Sequence, residues 1–142
     1  MSDEARMIPI VVIRWILVPF AAWLAWGIAV FSGFELEALA TYLCPENKMN
    51  SGMCTAEWYG PVLNSIFCFG AALAAALIVL LCTLVAPASR EHVARATYVV
   101  GAIAAVAMGV PAHAMLPLVC ALVAGALVWR WFDRRALWPL RL

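Results

Sequence analysis

The sequence predicts an all-α membrane protein, an antiparallel bundle of four transmembrane helices with both termini in the cytoplasm. Its 142 residues are 67% hydrophobic and only 12% charged, and the mean hydropathy is +0.98. A soluble domain carries about twice this share of charge, so the composition indicates a membrane protein. Four apolar runs and a one-sided distribution of arginine complete the prediction.

The apolar runs divide a single membrane domain, residues 1–142, into spans and connections. The spans are 8–31, 62–85, 96–111 and 116–132; the connections are an outer loop at 33–59, an inner loop at 86–95 and an outer turn at 111–117, with an inner interfacial tail at 133–142. A crossing helix needs about 20 residues, with a lower limit of about 17. The last two spans are near this limit, so they either extend into their flanks or form a re-entrant hairpin. Full crossing is favoured, because re-entrant backbone must be covered by other protein.

The first span is expected to end before Gly33. A short helix on the membrane surface is expected to follow, with Phe34, Ala38 and Tyr42 on its apolar face. A signal peptide is the competing interpretation of the first span, but the apolar region of a signal peptide is only about 7–15 residues long. The run therefore predicts a membrane helix.

The arginines predict the orientation. Those expected on one side of the membrane are Arg6, Arg14, Arg90, Arg95, Arg130, Arg134, Arg135 and Arg141. The other side carries Lys48 alone, together with several glutamates. The positive-inside rule then places both termini in the cytoplasm and the 33–59 loop outside. In outline the chain resembles small four-helix inner-membrane proteins of GC-rich bacteria, and we expect a multi-pass protein of that membrane.

Two cysteines bracket the segment CPENKMNSGMC, residues 44–54, in the outer loop. Outside the cytoplasm a disulfide between Cys44 and Cys54 is expected, and closing this loop stabilises the fold by roughly 2–3 kcal/mol in the chain-entropy model. A redox-active pair would have the closer C-x-x-C spacing. We therefore predict a structural disulfide in a rigid loop, with an Asn50-Ser51-Gly52 turn. The side chains offered for recognition are those of Glu46, Asn47, Lys48 and Asn50.

Three polar residues in or beside the apolar runs are candidate contacts to a lipid or a partner. Arg14 either snorkels to the headgroups or meets a buried anion, Asn64 lies near the outer end of the second span, and His113 lies in the outer turn. His92 and His113 lie at opposite ends of the third span, about 30 Å apart, so they cannot hold one haem iron within a subunit.

Aromatic and basic residues near the ends of the spans are predicted to anchor the protein at the membrane interface. They are Trp58, Tyr59, Trp129, Trp131, Arg134, Arg135 and Trp138. Small residues at spacing four predict close helix packing. These are Gly70 with Ala74, Gly101 with Ala105 and Gly109, and Ala121 with Gly125.

The sequence predicts neither catalytic residues nor a metal or cofactor site, and a net charge of +1 argues against a nucleic-acid partner. The leading functional hypothesis is a non-enzymatic accessory or assembly subunit of a larger membrane complex. Such a subunit is expected to contact the lipid bilayer and either a membrane-protein partner or copies of itself. One alternative is a small homo-oligomeric transporter or lipid-handling protein that uses Arg14 and Asn64. Another is an immunity-type protein that blocks a membrane-active toxin through its outer loop.

Overall fold

The structure is a computed structural model that describes the backbone of residues 4–87 and 90–136 and the side chains of residues 12–87 and 90–134. Its helices are α1 (Glu4–Tyr42), α2 (Tyr59–Val85), α3 (Arg90–Gly109) and α4 (Met115–Ala136). Between α1 and α2 lie a 3₁₀ turn (Glu46–Lys48) and an antiparallel hairpin of strands β1 (Met49–Asn50) and β2 (Met53–Cys54). Each helix contains a segment long and apolar enough to cross a membrane, which confirms an α-helical protein with four such helices.

Helix α1 is longer than the sequence predicts. It continues through Gly33 to Tyr42 without a break and has 39 residues, which corresponds to about 58 Å. The predicted end before Gly33 and the separate surface helix are therefore wrong. The physical reason is that one interior glycine costs a helix only about 1 kcal/mol, and the Glu, Leu and Ala residues that follow are strong helix formers. Helices α3 and α4 have 20 and 22 residues, because both extend into the flanks of their apolar runs.

Helices α1 and α2 lie side by side and antiparallel. At one end the Cys82 thiol lies 3.7 Å from the Val18 carbonyl oxygen, and at the other the hydroxyls of Thr41 and Tyr59 are 2.9 Å apart. The two contacts are separated by the same number of residues on each helix, so the pair stays in register over about 35 Å.

The surface that α1 presents to α2 is a row of alanines at spacing four. Ala21, Ala25 and Ala29 are buried, with exposed fractions of 9%, 0% and 2%. Lipid provides no hydrophobic drive for helices to associate, and small side chains allow the close backbone contact that holds them instead. The rows of small residues predicted from the sequence lie on the other three helices and do not include this one.

Helices α3 and α4 form a second antiparallel pair, and α4 also packs on α2. The rings of Tyr98 and Trp129 stack with their centroids 5.5 Å apart. A Cβ atom added at Gly125 would lie 3.0 Å from Tyr98 and 3.7 Å from Ala75 of α2. Gly125 is thus the point where α4 meets both neighbours, and alanine would be too large there without movement of Tyr98.

Helix α2 is the centre of the assembly. It packs against all three other helices, whereas α1 makes an extended contact with α2 alone among the described residues. In a closed four-helix ring α1 would also pack against α3 or α4. The largest fully buried side chains are those of Thr83 and Cys82, so the helices meet through small residues and leave their large apolar side chains outward.

Replacing Ala25 by Leu should separate α1 from α2. The added side chain has no space at a fully buried position, and overpacking of this kind destabilises by about 1–3 kcal/mol. We expect a lower melting temperature in detergent, measured by tryptophan fluorescence. The control is Ala107→Leu, the same change at an exposed position of α3. Equal melting temperatures for the two variants would contradict the packing described.

Candidate functional site

Two cysteines bring together the two sides of the loop that connects α1 to α2. Their sulfur atoms lie 2.02 Å apart, at disulfide distance, and the Cα atoms are 5.9 Å apart. Both side chains are buried. The predicted pairing of Cys44 with Cys54 is therefore present in the geometry.

The loop between the cysteines is a tight hairpin. Met49 pairs with Cys54 and Asn50 with Met53, and the two turn residues Ser51 and Gly52 have φ values of 50° and 82°. Positive φ at both central positions defines a type I′ turn, whose twist matches that of the two strands. The turn lies where the sequence predicted it.

Side-chain and backbone hydrogen bonds close the base of this hairpin. The Lys48 carbonyl accepts bonds from both the amide and the hydroxyl of Thr55, at 2.9 and 2.7 Å. The amide of Lys48 donates to the Pro45 carbonyl at 2.9 Å. This network holds the backbone, while the four predicted recognition side chains are all exposed; they are Glu46, Asn47, Lys48 and Asn50. The loop is a fixed platform with a polar surface.

An open recess of about 770 Å³ lies between the loop and the C-terminal end of α1. Glu37 and Thr41 line it from the helix, and Glu46 and Met49 line it from the loop. Because α1 does not end at Gly33, these acidic side chains lie together at one end of the molecule.

Asn64 and His113 also share a recess, near the start of α2 and the turn between α3 and α4. Its volume is about 600 Å³, and Phe67 and Pro117 are among its other lining residues. Arg14, the third predicted contact residue, is not part of this group. Counted from the Val18–Cys82 contact, Arg14 lies level with Ala86 at the far end of α2.

His113 has a structural role that the sequence did not reveal. Its φ is 54°, in the left-handed region. The Ala114 amide donates to the Gly109 carbonyl at 3.0 Å and the His113 amide to the Val110 carbonyl at 3.1 Å. This is the Schellman arrangement that ends a helix, with histidine at the position usually occupied by glycine. Histidine enters this region more readily than most residues.

The arginines form a layer at one end of the helices. Tyr98 stacks on Trp129, and Arg95 and Phe132 lie three residues from that pair toward the same end, so they are at the same level. Gly125 lies next to Ala75, and Arg134 and Leu84 each follow nine residues later on parallel helices, so they too are at the same level. The arginine layer comprises Arg14, Arg90, Arg95, Arg130 and Arg134, all of them exposed.

The acidic residues of α1 mark the opposite boundary. Counted from the Val18–Cys82 contact between α1 and α2, Glu35 and Glu37 lie level with Ser65 and Leu63 of α2. The separation between this level and the arginine layer is about 30 Å at 1.5 Å per residue, which equals the hydrocarbon thickness of a bilayer. The contacts between helices thus align the charges into two layers separated by one membrane thickness.

The predicted interface aromatics also pack within the protein. Trp58 contacts Tyr59 edge-on with ring centroids 6.0 Å apart, and Trp131 contacts Phe132 in the same way at 4.9 Å. Trp129 stacks on Tyr98 and joins α4 to α3. The side chain of Arg135 and the whole of Trp138 lie outside the described residues.

An apolar cleft opens between α2, α3 and α4 near the middle of the helices, with its Thr97 end toward the arginine layer. Its volume is about 270 Å³, and its lining consists largely of alanine and glycine, with Trp26 of α1 on one side and Thr97 and Tyr98 at one end. The spacing of Gly101 and Ala105 predicts a small-residue row for close packing. In the structure Gly101 instead borders open space, because no heavy atom lies within 4 Å of the position its Cβ would take.

The chain matches no protein-family model, and comparisons with curated proteins and with solved structures also found no match.

Changing Cys44 to Ser should loosen the outer loop while α1 and α2 remain paired, because their alanine contact and the Val18–Cys82 contact do not involve the loop. We expect unchanged helical circular dichroism and faster proteolysis between residues 45 and 53, with a loss of about 2–3 kcal/mol in stability. Cys120→Ser, a thiol change within α4, serves as the control. Failure of the Cys44 variant to insert into the membrane would show that the loop is needed for folding itself.

Proposed function

We propose that this protein is a non-enzymatic accessory or assembly subunit of a larger complex in the bacterial inner membrane. In this proposal both termini are cytoplasmic, and the Cys44–Cys54 pair is a disulfide in the outer loop. The observation that supports it best is the one-sided packing of α1, which contacts α2 extensively and neither α3 nor α4 to a comparable extent among the described residues.

The free side of α1 is suited to a partner helix. Opposite its buried alanines it carries Phe20, Trp23 and Phe31, with exposed fractions of 65%, 68% and 66%. Gly27 lies between the last two, and no heavy atom lies within 4 Å of its Cβ position. Large rings on either side of a glycine create ridges and a notch, and a helix from another protein can approach closely at such a notch. We name Phe20, Trp23, Gly27 and Phe31 the partner face.

The outer loop supplies a second contact in this proposal. It is held next to the outer end of α1, so a partner that packs along α1 reaches the exposed Glu46 and Lys48 side chains without crossing the molecule. Met53 lies beside them with 71% of its surface exposed. A rigid loop favours binding, because little conformational entropy is lost when it is recognised.

The partner face can be tested by purification at native abundance in a mild detergent. A partner protein should co-purify in a fixed ratio, and Gly27→Leu should reduce its recovery because the notch is filled. Gly101→Leu is the matched control, since it adds the same side chain to a helix of this protein at another open position. Recovery of the protein without a stoichiometric partner, or equal recovery with both variants, would contradict the proposal.

The orientation can be tested through Lys48, the only lysine in the sequence. In spheroplasts a membrane-impermeant amine reagent should label Lys48, because the arginine layer favours the cytoplasmic side and leaves the loop outside. The amino terminus is the other reactive amine, so the labelled peptide is identified by mass spectrometry. Labelling of Lys48 only after the membrane is opened would reverse the proposed topology.

A further inference from the structure

We infer that the cleft between α2, α3 and α4 is a binding site for one acyl chain of an anionic phospholipid, whose phosphate is bound by Arg90. This inference does not depend on the proposed function, since it concerns a different surface from the partner face. It is based on the depth of the cleft, on its polar end and on the unpaired charge next to that end.

The cleft is too short for a helix that crosses the membrane. On α3 it runs from Met108 to Thr97, a distance of about 16 Å along the helix, or half of the roughly 30 Å of bilayer hydrocarbon. A partner helix would need a groove of full membrane length, whereas a cleft of half that length can hold part of one acyl chain that enters from the arginine side. The volume of about 270 Å³ also exceeds the roughly 150 Å³ of an apolar protein cavity known to take up benzene.

The cleft has polar groups at one end only. Thr97 and Tyr98 line the end nearest the arginine layer, and neither hydroxyl has a hydrogen-bond partner within the described part of the chain. The other hydroxyls of the helices at comparable depth are bonded to their own backbone, as Thr83 is to the Val79 carbonyl. Two unpartnered donors at the mouth of an apolar cleft fit the ester and glycerol oxygens of a lipid.

Arg90 lies on the cleft side of α3 by helical spacing, seven residues before Thr97 and eleven before Gly101. Its side chain is exposed and makes no ion pair with any described residue. The neighbouring carboxylate of Glu91 lies 3.6 Å from the His92 imidazole. A guanidinium beyond the polar end of an acyl-chain cleft is placed to bind a phosphate.

A second recess, nearer the acidic end of the helices, does not fit the same ligand. It has a volume of about 260 Å³, lies between Gly33 and Gly70, and is bordered by Glu37. A carboxylate at its end would repel an anionic headgroup. An anionic lipid therefore favours the cleft whose polar end lies near the arginine layer.

The test is native mass spectrometry of the purified protein in detergent with phosphatidylglycerol added, or with diacylglycerol, which has the same acyl chains and no phosphate. The wild type should retain one phosphatidylglycerol and bind diacylglycerol more weakly. Gly101→Leu should lose the lipid, because the added side chain occupies the cleft. Arg90→Gln should weaken phosphatidylglycerol binding about fivefold and leave diacylglycerol binding unchanged.

Two matched controls distinguish the site from the general lipid layer. Gly27→Leu adds the same side chain at similar depth on α1, and Arg134→Gln removes a charge from the same layer on another helix; both should bind lipid as the wild type does. Equal binding of phosphatidylglycerol and diacylglycerol, or an equal effect of Arg90→Gln on both, would overturn the proposed phosphate contact, and lipid retention by Gly101→Leu would overturn the cleft. A protein helix found in the cleft by crosslinking would overturn the choice of ligand. Loss of a partner from Gly27→Leu alone concerns the proposed function and leaves this inference standing.

Discussion

Close packing of the other helices against α2 through small residues is the constraint on which the rest of the structure depends. In a membrane, lipid surrounds apolar side chains as favourably as protein does, so helices associate only where their backbones approach closely. The buried positions accordingly belong to Ala25, Ala29 and Ala94, which are at most 2% exposed. The two polar groups in this region, Thr83 and Cys82, both donate to backbone carbonyls. Large apolar side chains consequently face outward, where lipid or another protein can cover them.

This packing also produces the unequal ends of the molecule. Helix α1 is held in register by contacts near both ends of α2, and its last turns extend beyond the turn between α3 and α4. That extension supports the hairpin loop, and the Thr41–Tyr59 hydrogen bond joins the two helices just below it. The loop is therefore presented as a rigid surface at the acidic end, while the basic residues collect at the other. The two charge layers follow from helix register and are separated by the thickness of a bilayer.

The same arrangement leaves two surfaces with different chemistry. The partner face on α1 is aromatic and is interrupted by a glycine, which suits another helix. The cleft between α2, α3 and α4 is narrow, covers half of the membrane depth and has polar groups at its mouth, which suits a lipid chain. The two surfaces arise from one cause: among the described residues α1 packs extensively against α2 alone, so it does not close the group of helices. A subunit with both surfaces would bind a partner through one and a lipid through the other without competition.

The sequence by itself determined the four helices long and apolar enough to cross a membrane, the proximity of Cys44 to Cys54 and the turn at Ser51 and Gly52. These properties depend on composition, run length and local turn chemistry, which a single segment carries. Only the tertiary structure decided that α1 continues through Gly33, that Ala25 is buried, that Gly101 borders a cleft and that His113 ends α3. An alanine or glycine has the same local preference whether it meets a helix or open space, so the contacts between helices alone distinguish the two. The arginine layer shows both contributions: the residues can be read along the chain, but their common level results from the register in which the helices pack.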